Sequence, residues 1–226
     1  MATYTYRNQY VDEHMKGRPH PLKFYVWVYL VSMVMLFAAF TSALLVSKPD
    51  NEAKGLWLNF NLPIEFTITT VLIVLSSLTM HWAYVSAKRN QQGSLTTALW
   101  LTAVLGVLFL AGQVIGFRHL NQNGIYFVDN LHKKEVVEKA IIRGNELHLA
   151  TRKSNVSGSF LYVITGAHML HLLGALIAVI VVLISAIRLR INSEKMLGLE
   201  LCAIFWHSLD ILWLYLFVFL SLTYSA

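Results

Sequence analysis

The chain has 226 residues, 56% of them hydrophobic and only 13% charged, against about 25% charged in soluble domains. With a mean hydropathy of +0.56, this composition excludes an ordinary soluble enzyme and points to an integral membrane protein. The net charge of +6 requires no nucleic acid, because cytoplasmic loops of membrane proteins are rich in Lys and Arg. The single Cys202 excludes an internal disulfide and any cysteine-based metal cluster.

Residues 1–23 read as a polar cytoplasmic tail. They do not fit a cleavable signal peptide, since the first apolar run begins only at Leu22 and is too long for an h-region. Five segments then reach the ~20 apolar residues that a helix needs to cross a bilayer: about 24–46, 64–85, 95–117, 159–187 and 199–223. Each is predicted helical, because in lipid the backbone must satisfy its own hydrogen bonds. The expected fold is all-α, an integral membrane bundle of five transmembrane helices forming one domain, 24–226. Orientation follows from Lys and Arg: segments 1–23, 86–94 and 188–198 hold nine, and the short loop 47–63 holds only Lys48 and Lys54. The prediction is N-terminus inside, C-terminus outside.

In the second span, Glu65 falls at the outer end and reads as an interfacial residue. His81 and Trp82 fall near the inner end, where aromatic belts are expected. In the third, Gly112 and Gly116 form a GxxxG face that permits close packing, next to Gln113. The outer loop 118–158 contains NLHKKEVVEKAIIR, 130–143, which could form a short amphipathic helix stopped by Gly144, or a plain solvated loop.

Most of the intramembrane polarity lies on the last two spans. The fourth carries Thr165, His168 and His171 at i, i+3 and i+6. The fifth, LGLELCAIFWHSLDILWLYLFVFLSLTY, carries Glu200, His207 and Asp210. An ionisable group in hydrocarbon costs about 3 kcal/mol on insertion scales, so these groups must face protein. His171 and Asp210 lie at similar depth on antiparallel helices, which makes a contact between the two faces reasonable. Arg188 or Arg190, across the basic loop, is the expected partner of Glu200. Three readings compete: a structural polar seam, haem or metal ligation, and a proton relay or transport path. His171 and His207 differ in depth by roughly 10 Å at the rise of a helix, a poor match for a bis-histidine haem. Periodicity and depth do not separate the seam from the relay.

The polar pattern resembles subunit III of the haem–copper terminal oxidases. In the last helix the resemblance is carried by Gly198, Glu200, Phe205, Trp206, His207, Asp210 and Trp213. In the fourth it is carried by Gly158, Ser159, Thr165, Gly166, His168 and His171, with SSLTMHWA of the second span and Gln113 of the third in support. The chain looks like the shorter, five-helix bacterial form. It departs from the family at Met33 and Gly116, where many members carry glutamates, so no role of those carboxylates transfers.

What the resemblance implies is a subunit with no catalytic residue, cofactor or metal of its own. Thr165, His168, His171, Glu200, Trp206, His207, Asp210 and Trp213 would form a structural seam, and Gln113, His81 and Trp82 would contact lipid or another subunit. Haems and copper would sit in partner subunits, with subunit I the main contact and subunit II the second. A larger respiratory supercomplex with the electron donor, membrane lipids and a bound phospholipid are further implied associations. The implied setting is the bacterial inner membrane, where the complex reduces oxygen to water with cytochrome c as donor, coupled to proton translocation. The competing assignments are a related subunit of a quinol oxidase or nitric oxide reductase, a haem b membrane anchor, and a proton-coupled transporter.

Overall fold

The computed structural model describes residues 21–53, 57, 62–122, 156–189, 191 and 196–224. The tail before residue 21, Arg190 and the loop segment 130–143 lie outside the described residues. Five helices are present: α1 (Pro21–Ala53), α2 (Ile64–Lys88), α3 (Gln92–Gln122), α4 (Val156–Ile187) and α5 (Leu197–Tyr224). All five are long and apolar enough to cross a membrane, and no strand occurs among the described residues.

Local chemistry sets several helix ends. The α2–α3 turn closes with Asn90 N–H to Ala87 O and Gln91 N–H to Ser86 O, both 3.0 Å. Asn90 takes φ 55° there, a left-handed conformation that Asn tolerates better than most residues. The end of α4 is closed the same way at Leu189, φ 54°, a residue without that tolerance. At the far end of the bundle, Lys48 Nζ donates to Thr223 O (2.8 Å) and Tyr224 Oη donates to Ser157 O (2.6 Å). Trp57 stacks on Tyr224 at 5.6 Å. Together these tie α1 and α4 to the last turn of α5.

Helices α2, α3, α4 and α5 form a ring in which each packs on the next and α5 closes back onto α2. Helix α1 lies outside the ring against α4 and α5, rather than against α2, which follows it in sequence. The ring interior is filled by large side chains, with Trp206, Trp213, Phe109, Leu99, Ile73 and Met80 fully buried. Outward faces stay apolar, as at Val71, Trp100, Ile180 and Ile211, which is the pattern of a protein solvated by lipid.

Glycine decides how close α3 comes. A Cβ on Gly106 would lie 2.8 Å from Trp206 Cη2, and one on Gly116 would lie 2.9 Å from Phe66 Cε2. One on Gly112 would collide with Thr69 Cγ2. The glycine face thus receives α2 and, across the ring, the indole of Trp206.

Candidate functional site

Polar residues of α5 meet a row of hydroxyls on α2. Trp206 Nε1 donates to Ser76 Oγ at 3.0 Å, His207 Nδ1 bonds Ser77 Oγ at 2.7 Å, and Trp213 Nε1 donates to Thr70 Oγ1 at 3.0 Å. The row continues into α3, where Gln113 Nε2 donates to Thr69 Oγ1 (2.8 Å) and Thr79 bonds Thr102 (2.8 Å). Helix α2 is therefore the polar hub, fastened to α3 on one side and α5 on the other. A hydroxyl suits this place because it can bond its own helix as well: Thr70 Oγ1 donates back to Phe66 O at 2.7 Å while accepting from Trp213.

Asp210 is 4% exposed, and neither carboxyl oxygen has a hydrogen bond among the described residues. His207 Nδ1 is 4.0 Å from Oδ2, and the Ser77 side chain lies beside the carboxyl. His81, one helical turn beyond Ser77 on α2, is near enough to His207 to act on it electrostatically. His81 and Trp82 themselves are exposed.

The fourth-helix residues are placed differently. Thr165 donates to Leu161 O of its own helix (2.6 Å), and His171 Nδ1 meets Ala167 O of its own helix (2.7 Å). The His171 ring packs on Phe37 (5.7 Å) and Tyr29 (6.2 Å) of α1. His168 is fully buried with neither ring nitrogen hydrogen-bonded. Its ring is walled by Trp213 (5.0 Å), Phe109 (6.1 Å) and Phe37 (6.3 Å). His168 with Trp213 is thus a contact between α4 and α5, whereas His171 turns toward α1 and His207 with Asp210 toward α2. The cause is ring geometry: α5 has two neighbours within the ring, and its polar stripe takes the one that offers hydroxyls.

Glu200 pairs with Lys23 of α1, Nζ to Oε2 2.6 Å, rather than with Arg188; Arg190, the other expected partner, lies outside the described residues. Glu65 meets His119 of α3, Oε1 to Nδ1 3.0 Å. Met33 is buried on α1. Between α1, α4 and α5 runs an apolar groove of about 870 Å³, lined in part by Tyr25, Tyr29, His171, Gly174, Cys202 and Phe205. No group of three or more His, Cys, Asp or Glu side chains converges to hold a metal among the described residues.

Ser76, Ser77, Thr70 and Lys23 are the contributors that sequence reading did not single out as partners. The adjacent serines of SSLTMHWA were the available signal.

Fold and site together define a multi-pass helical membrane protein whose buried polar groups fasten its helices to one another. The family model for cytochrome c oxidase subunit III matches residues 4–123 and 145–224. Cytochrome c oxidase subunit 3 of Corynebacterium diphtheriae is 25% identical over 206 residues, covering 89% of this chain and 88% of the relative. The Thermostichus vulcanus protein of the same name is 26% identical over 197 residues, covering 85% and 83%. That of Hippopotamus amphibius is 25% identical over 223 residues, covering 95% of this chain and 72% of its own length. The chain belongs to the cytochrome c oxidase subunit III family, whose members are subunits of an oxidoreductase complex.

Proposed function

We propose that the chain is the non-redox third subunit of a bacterial cytochrome c oxidase in the inner membrane. It packs mainly on the catalytic subunit I, supports that subunit's proton uptake during reduction of oxygen, and leaves haems and copper to its partners, with cytochrome c as donor. The observation that carries this reading is the family match across nearly the whole chain. The engagement of the span histidines supports a packing role: His168 is caged by aromatic rings, and His171 and His207 each hold a hydrogen bond through Nδ1. Orientation with the N-terminus inside is supported by Lys23, Lys88, Arg89 and Arg188, which gather at one end of the bundle. The groove between α1, α4 and α5 has the size and lining to take phospholipid acyl chains.

The test is oxygen uptake by membranes from a strain lacking only this chain. Reduced cytochrome c should be oxidised at first at near wild-type rate, followed by accelerated loss of activity over successive turnovers. A deletion strain with sustained wild-type uptake would refute the supporting role.

A further inference from the structure

The outward surface of a membrane bundle should be apolar, and most of this one is. Between α2 and α5 it is not. Ser77 and His207 are only partly buried, yet they sit deep along their helices, and His81, nearer the inner end of α2, is exposed. Ser77 is 11 residues from Lys88, the end of α2, and His207 is 10 residues from Leu197, the start of α5. At 1.5 Å per residue these are depths of about 15 Å, near the middle of a hydrocarbon core of about 30 Å. Lipid chains at that depth offer no hydrogen bond.

The hydrogen-bond chain sets what this face presents. Ser77 has one hydroxyl hydrogen, and beside it lie the Asp210 carboxyl and His207 Nδ1. The carboxyl is buried with no hydrogen bond to either oxygen, so it does not fix where the Ser77 hydrogen points. His207 Nδ1 and Ser77 Oγ share a hydrogen bond of 2.7 Å, and the imidazole tautomer sets which of them donates. Either tautomer leaves Nε2 a hydrogen-bonding atom, an acceptor when Nδ1 carries the hydrogen and a donor when Nε2 does. Nε2 is not among the buried atoms, and about a third of the ring is exposed. Val74 and Ile211, one turn from Ser77 and His207, are exposed apolar side chains that rim the polar centre.

We infer that the α2–α5 face centred on His207 docks onto a membrane-spanning helix of the catalytic oxidase subunit, and that this helix presents a hydrogen-bonding side chain to His207 Nε2 at mid-bilayer. The inference rests on the oxidase reading above and names the surface through which that assembly is made. Hydroxyl and amide side chains, which both donate and accept, fit that place. An apolar rim around one desolvated polar centre is the arrangement in which a single hydrogen bond fixes register between helices.

The test uses the complex purified in mild detergent through a tag on this chain. A benzophenone-bearing residue replaces His81 in one variant and Val107, on the lipid-facing side of α3, in the other. Irradiation should link position 81 to a transmembrane segment of the haem-bearing subunit and position 107 to lipid. In parallel, His207→Leu should lower the ratio of co-purified haem-bearing subunit roughly tenfold, the scale of one buried hydrogen bond, and His207→Gln, whose amide both donates and accepts, should recover much of it. An intact complex with lipid-only adducts at position 81, or His207→Leu retaining the wild-type ratio, would overturn the docking face alone. A wild-type chain arriving without haem-bearing subunits would overturn the oxidase reading and this inference with it.

Discussion

Gly106 and Trp206 should behave as one unit. The indole is fully buried and held by its Nε1 bond to Ser76, so its six-membered ring cannot swing away from Gly106 without losing that bond. A methyl group on Gly106 meets Trp206 Cη2 at 2.8 Å and Leu176 Cδ1 at 3.3 Å. Gly106→Ala therefore overpacks, at a cost of about 1–3 kcal/mol, against a helix-propensity gain of about 1 kcal/mol. The expected net is a loss of about 1 kcal/mol. Trp206→Phe removes the ring edge over Gly106 and the indole donor. The hydrogen bond accounts for about 0.6 kcal/mol, the average for a membrane protein, and the void adds about 2 kcal/mol. In the double variant the new methyl group fills part of that void and the clash is gone, so it should be more stable than Trp206→Phe alone. Denaturant titration in mixed micelles, followed by circular dichroism, gives the four free energies of the cycle. A coupling of about 1–3 kcal/mol is expected. Additivity within ~0.5 kcal/mol would refute the contact and, with it, the packing of α5 across the ring.

Three further substitutions probe other parts of the account. His168→Phe should leave thermal stability unchanged or raised by up to about 1 kcal/mol, because it exchanges two buried nitrogens without hydrogen bonds for carbon in an aromatic cage; a loss above about 2 kcal/mol would show that the imidazole has a polar role. Lys23→Ala removes the ion pair to Glu200 between two partly exposed side chains, and should cost less than about 1 kcal/mol after solvent screening, with the difference shrinking as salt rises in the melt. Leu189→Gly should raise the midpoint of thermal unfolding, since relief of a left-handed leucine worth about 1–2 kcal/mol exceeds the added freedom of glycine in the unfolded chain, about 0.5–1 kcal/mol.

The existence of the five helices was legible because the apolar runs are long and separated by Lys, Arg, Pro and Gly. Their neighbours were not. Sequence order suggests that α1 should meet α2 and that the polar stripes of α4 and α5 should meet each other. Instead α5 uses both of its ring neighbours: the Trp213 ring packs on His168 of α4, while the hydrogen bonds of Trp206, His207 and Trp213 go to α2. Ser76, Ser77 and Thr70 carry little signal in a hydropathy profile, since a hydroxyl in an apolar helix commonly bonds the carbonyl a turn earlier and needs no partner. Lys23 was read as part of a solvated tail, and only the packing of α1 against α5 brings it to Glu200. The glycine face was visible as a motif, but its occupants, Thr69, Phe66 and Trp206, required the fold.

The central claim is that this chain belongs in an oxidase whose redox centres lie in its partners. Mild-detergent purification through a tag on the chain, followed by an absorption spectrum and identification of the co-purifying polypeptides, tests it most directly. The account predicts stoichiometric haem-bearing and copper-bearing subunits, and a spectrum that leaves with them when stronger detergent strips the chain free. A chain that purifies alone while keeping a stoichiometric Soret band, lost in His171→Ala, would contradict it.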